Sequence, residues 1–217
     1  MMSEQEIKDQ NRAFHIRTLA TAITAITFLI ITALYIVESK PQRYEVEASK
    51  ELVEMSRNIL RQQVGVTETI GNNDSPMIRQ YLKSVNINYP QPYCMAGQYY
   101  CYYEANKVLG GSYKIPLPKS GVAIHAYSYA KANGNKTEFT VRVDDLLIWK
   151  RRRSWSGHVE RVITVMKGGY YRLVGFNTMP QDIAGSQREG QGVHIRVRKV
   201  SRLGKLLFHG VAGVRVV

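Results

Sequence analysis

Cys94 is one of only two cysteines in this 217-residue chain, and it follows Gln91-Pro92-Tyr93 at the start of a stretch with helical periodicity. A thiol at a helix start meets unpaired backbone N–H groups and the positive end of the helix dipole, and both favour the thiolate. A buried core cysteine is the plainer alternative. His158 follows in Ser156-Gly157-His158-Val159, at the head of a strand-like run, and Asn177 closes a later one, Val174-Gly175-Phe176-Asn177-Thr178. Cys, His and Asn in that order suffice for acyl transfer through sulfur. The thiolate attacks a carbonyl, the imidazole moves the proton, and the amide side chain fixes the imidazole tautomer. An asparagine in a turn is the alternative reading of Asn177. The backbone N–H of Cys94 supplies one oxyanion donor, and Gln91 or Tyr93 is the candidate second.

The remaining candidates are weaker. His15 precedes an apolar run, His125 falls in a helical stretch, and His194 and His209 fall in C-terminal strands. His158 stands out because Asp144-Asp145 and the loop Lys150-Arg151-Arg152-Arg153-Ser154-Trp155-Ser156 lead into its strand. Trp155 beside four cations is a candidate substrate or envelope contact; a solvated turn is the alternative. Cys101 lies two turns beyond Cys94, so the sulfurs sit about 10 Å apart along the axis, too far for a disulfide. No Cys/His cluster has metal-ligand spacing, and no cofactor is expected.

The elements that must position these residues are legible as patterns. Glu45–Gln63 reads as a helix with Val46, Leu52, Met55, Ile59 and Leu60 on one stripe. Ser75-Pro76 has the cap and first-turn signature of a second helix, Met77–Val85. The Cys94 helix runs to about Leu109, where Gly110-Gly111 stops it, and a further helix covers about Gly121–Ala132. Period-two or short apolar runs then predict strands at Leu146–Trp149, Val159–Met166, Tyr170–Val174, Val193–Val200 and Leu207–Val217. Val193–Arg198 alternates cleanly, which predicts one wet, basic face. Helices first and strands second is an α+β arrangement, with N-terminal helices packed on an antiparallel sheet.

Thr18–Val37 carries no charge and is long enough to cross a bilayer core. An uncleaved transmembrane anchor is the favoured reading, because Tyr35-Ile36-Val37-Glu38 offers no small-x-small cleavage site; a signal peptide is the alternative. Thr18, Thr21, Thr24, Thr27 and Thr32 make the segment weakly apolar. The expected organisation is a short cytoplasmic tail at 1–17, the anchor at 18–37, a linker and helix start at 38–51, and one domain at 52–217. Lys8, Arg12 and Arg17 balance Glu4, Glu6 and Asp9, so the whole net charge of +13 lies after Val37. A basic domain seeks polyanions such as a cell-wall polymer, anionic lipid or nucleic acid.

Several short motifs, taken in order, resemble CHAP-type peptidoglycan hydrolases, relatives of the NlpC/P60 group. They are Gly65-Val66-Thr67-Glu68, Gly71-Asn72-Asn73-Asp74-Ser75-Pro76, Tyr81-Leu82-Lys83-Ser84-Val85 and Pro92-Tyr93-Cys94-Met95-Ala96. Asp144-Asp145-Leu146-Leu147-Ile148-Trp149, Ser156-Gly157-His158-Val159, Asn177-Thr178 and Arg188-Glu189-Gly190-Gln191-Gly192-Val193 continue the series. The resemblance covers about residues 52–217. It implies a papain-like fold, peptidoglycan as the partner rather than a specific nucleic acid, and cleavage of an amide bond in the wall peptide or at its glycan attachment. Phage lysis or envelope remodelling would suit it, with a single-pass inner-membrane anchor and an extracytoplasmic or periplasmic domain. Two departures stand out. Tyr93 replaces a frequent Trp, and Gly175-Phe176-Asn177-Thr178 stands where the family often has Glu-Gly-Asn-Thr. The acidic member is missing there, which leaves Asn177 as the matching orienter. A tethered polyanion-binding module without catalysis is the alternative function.

Overall fold

A computed structural model describes residues 4–38, 41–152, 154–180, 190–200 and 206–217. Arg153, Arg188 and Glu189, all named above, lie outside the described residues. The chain divides into two units, Met1–Lys40 and Pro41–Val217.

The first unit is one helix, α1 (Glu4–Glu38). Its Phe14–Thr32 portion is long and apolar enough to cross a membrane. The hydroxyls of Thr18, Thr21, Thr24, Thr27 and Thr32 each donate to the carbonyl four residues earlier, at 2.7–2.9 Å. Each hydroxyl proton is thus satisfied within the helix, which lowers the free-energy penalty of a threonine in hydrocarbon.

The second unit is an α+β domain. Its elements are β1 (Gln42–Ala48), α2 (Lys50–Gln63), α3 (Pro76–Ser84), α4 (Cys94–Val108), α5 (Ala123–Asn133), β2 (Asn135–Thr137), β3 (Leu146–Arg151), β4 (Gly157–Val165), β5 (Tyr170–Thr178), β6 (Gly192–Lys199) and β7 (Leu206–Val216). The sheet order is β2-β1-β7-β3-β4-β5-β6. The sheet is mixed rather than wholly antiparallel, because β1 runs parallel to β7. The domain therefore begins at Pro41, and residues 42–48, expected to be linker and helix start, are a strand inside the sheet. The polar residues of β1 disguised it. Arg43 is fully buried and bonds Asp145 through Nε and Nη2 at 3.1 and 2.9 Å, while Glu45 pairs with Arg43 and Arg142. A strand that buries charge by pairing it does not show in an apolar pattern.

The helices follow their sequence signals more closely. The Ser49 hydroxyl caps α2 by accepting from Leu52 N–H, and the Ser75 hydroxyl caps α3 by accepting from Ile78 N–H, with Pro76 in the first turn. Helices α2 and α3 pack on α4, which packs on β4 and β5, and α5 covers β1, β3 and β7. Gly97 permits this close seat, since a Cβ there would lie 2.1 Å from Cδ1 of the Phe176 ring. The Asp144-Asp145 turn locks the layers together. Asp144 accepts from the buried Arg161 at 2.7 Å and pairs with Arg57 of α2, and its φ of 73° places it in the left-handed region. Those two guanidiniums hold the Asp144 carboxyl below its ordinary value even though burial opposes them.

The β6 alternation does not produce one wet, basic face: Val193 is fully buried as expected, but the pattern departs beyond it. Ile195 is exposed, whereas Arg196 is buried and Arg198 nearly so. The reason is internal acceptors: Arg196 donates to the Met179 carbonyl, and Arg198 donates to Glu160.

Candidate active site

The first residue of α4 is Cys94, buried at the wall of a cleft of about 240 Å³. Among the described residues no side chain caps α4, and none caps α5, whose first residue Ala123 lines the same cleft. Two helix N-termini with N–H groups free of side-chain caps therefore face one space, a favourable setting for a developing oxyanion. Gln91, Trp155, Ser156 and Gly157 also line it, and Trp155 is 73% exposed. Tyr93 does not belong to this lining. Its side chain is fully buried, its hydroxyl lies 3.4 Å from Glu68 Oε1, and its ring packs against Tyr81. Tyr93, a candidate oxyanion donor and substrate contact by sequence, therefore turns its ring into the core, whereas Gln91 lines the cleft.

His158 sits on β4, buried, beside the Trp149 ring. Its Nε2 is 3.1 Å from Glu160 Oε1. Residues 158 and 160 project from the same side of one strand, so the pairing follows from a period of two. Burial by itself would lower the His158 pKa. Interaction with the Cys94 sulfur, then with Glu160, outweighs burial and raises it to about 9. Burial likewise pushes Glu160 up, but His158 and Arg198 hold it at about 2. Arg198 contacts both carboxylate oxygens, at 2.6 and 2.8 Å. With Nε2 engaged by Glu160, Nδ1 is the nitrogen left for sulfur. His158 thus interacts electrostatically with the Cys94 sulfur and is hydrogen-bonded to the Glu160 carboxylate.

Glu160 thus makes the contact with the imidazole that was expected of Asn177. Asn177 is buried, its φ is 52°, and its backbone hydrogen-bonds the Tyr93 hydroxyl. No hydrogen bond joins it to His158 among the described residues. The missing acid is explained by strand register. Glu160 pairs directly with Gly175 across β4 and β5. A Cβ at 175 would come within 2.8 Å of Glu160 Oε1. A carboxylate reaching the imidazole from β4 therefore needs a glycine opposite it on β5. The signal was present in Gly157-His158-Val159-Glu160-Arg161, where an acid interrupts an apolar strand two residues after the histidine.

Cys101 is fully buried, and its thiol donates to the Gly97 carbonyl at 3.2 Å. Burial pushes its pKa up to about 12. Both cysteines are free. Among the described residues no group of three or more His, Cys, Asp or Glu is placed to hold a metal. No protein-family model, curated protein or solved structure matches this chain.

Proposed function

We propose that the protein is a thiol-dependent amidohydrolase of cell-wall peptide, with a papain-like domain tethered to the membrane by α1. The observation that carries this reading is Cys94 at an uncapped helix N-terminus, coupled to a buried His158 that is hydrogen-bonded to Glu160. His158 takes the Cys94 proton, and the resulting imidazolium is stabilised by ionised Glu160. The thiolate adds to the substrate carbonyl, and the oxyanion meets the N–H groups at the start of α4. The tetrahedral intermediate collapses as the amine leaves with the imidazolium proton. Water, deprotonated by His158, then adds to the thioester and releases the acid and the free thiol. Arg198 keeps Glu160 ionised and in place.

The motif resemblance supports peptidoglycan as the substrate, with endopeptidase and N-acetylmuramoyl-L-alanine amidase activities as the two forms. The net charge of +13 suits an anionic envelope and also supports the second reading, a tethered polyanion binder. Export of the domain across the inner membrane, for phage lysis or envelope remodelling, belongs to the same proposal. Digestion of purified peptidoglycan by wild type and by Cys94→Ala separates the two readings. A hydrolase loses activity with the sulfur, and a binder retains wall binding and never releases fragments.

A further inference from the structure

A second cavity adjoins the Cys94 cleft. Both are lined by Ile87 and Tyr89, and Tyr89 is 62% exposed. The second cavity has a volume of about 160 Å³, with Leu82 and Pro90 as apolar lining and Asp74, Arg79 and Lys83 as its charged groups. This is the space of about five waters, enough for one side chain bearing a carboxylate. Asp74 is already committed: its two oxygens accept from Arg79 Nε and Nη2 at 2.7 and 2.8 Å. That bond holds the guanidinium in place and leaves Arg79 Nη1 unbonded among the described residues. Lys83 sits four residues on, in the last turn of α3, with an exposed side chain. One carboxylate against two cations leaves the pocket with one positive charge in excess.

We propose that this pocket is a subsite for a carboxylate on the substrate peptide, recognised by Lys83 and by the Asp74-braced Arg79. It rests on the reading of Cys94 as the nucleophile: a peptide with its scissile carbonyl at Cys94 continues past Tyr89 and places its anionic group between these two cations. The subsite selects substrates that carry a free carboxylate over those in which it is amidated.

The test uses full-length protein in detergent and two short wall-type peptides that differ only in a free carboxylate or its carboxamide. Binding to Cys94→Ala is measured by calorimetry, and cleavage by wild type is measured in parallel. Exposed ion pairs are worth up to about 1 kcal/mol, so the acid should bind about two- to fivefold tighter than the amide. Lys83→Gln should weaken this preference, Lys83→Glu should abolish it, Lys83→Arg should keep it, and high salt should shrink it. Equal affinity for acid and amide, or a preference untouched by Lys83→Gln, overturns the subsite. Cleavage without preference would leave the hydrolase standing and remove the subsite. Preference without cleavage would do the reverse, and neither binding nor cleavage would overturn both.

Discussion

Replacing Glu160 by Gln leaves a hydrogen-bond acceptor beside His158 Nε2 and removes the charge. The structure indicates how much this should matter. His158 stands at about 9 because its interactions with Cys94 and Glu160 outweigh burial. The gap from an ordinary value near 6.5 corresponds to about 3 kcal/mol of preference for the imidazolium, shared between those two partners. Without the Glu160 charge, burial remains and Arg198 loses its carboxylate, so both push the imidazole towards neutrality. At about pH 7.5 the wild-type imidazole is almost wholly protonated. A variant whose value falls below about 6.5 is protonated in about one molecule in ten or fewer. The population able to support a thiolate should therefore fall at least about tenfold. Alkylation by iodoacetamide reads this without any assumption about substrate. Cys101 stays silent near neutrality because it is buried and its pKa is pushed to about 12. Glu160→Gln should slow Cys94 alkylation about tenfold or more and move the basic limb of the pH–rate profile downward. Alkylation within about twofold of wild type, with an unmoved basic limb, would refute the role of Glu160.

Other outcomes follow from the same contacts. Gly175→Ala should displace the Glu160 carboxylate and lower turnover much as Glu160→Gln does, while circular dichroism shows an intact fold, because the added Cβ meets Oε1 at 2.8 Å. Asn177→Gly should keep both stability and most turnover, whereas Asn177→Ala should lose about 1 kcal/mol from its φ of 52°, measured by urea denaturation. Gly97→Ala should destabilise the domain by about 1–3 kcal/mol through the Phe176 ring, read as a lower midpoint in thermal melts. The His158–Glu160 pair should also shape the pH dependence of stability. His158, raised to about 9, contributes fully below its unfolded value near 6.5, and this contribution is lost as pH rises through about 9. Glu160, lowered to about 2, contributes above its unfolded value near 4.5 and loses that contribution as pH falls through about 2. Glu160→Gln should flatten both limbs in denaturation curves.

Residues whose partners are local were legible in the sequence. The Ser75-Pro76 cap, the Cys94 helix start, the stop at Gly110-Gly111 and the strand periodicities all act within a few residues, and each appears in the structure close to where the pattern places it. Features set by long-range pairing were hidden. The strand at 42–48 buries Arg43 against Asp145, about a hundred positions away, so its apolar pattern is broken by charges that are neutralised elsewhere. The expected wet, basic face of β6 was lost for the same reason, since Arg198 is drawn inward by Glu160. The site shows both situations. Cys94 and His158 come together through the packing of α4 on β4, which the chain order anticipates. The third group needed the β4–β5 register, because only that register shows Glu160 filling the space above Gly175.

The most direct test is mass spectrometry of purified peptidoglycan after incubation with the full-length chain in detergent, alongside Cys94→Ala. The expected result is release of fragments bearing one new amine and one new carboxyl terminus, abolished by Cys94→Ala and retained by Cys101→Ser. Absence of any new termini, or equal release by Cys94→Ala, would contradict the thiol-hydrolase account.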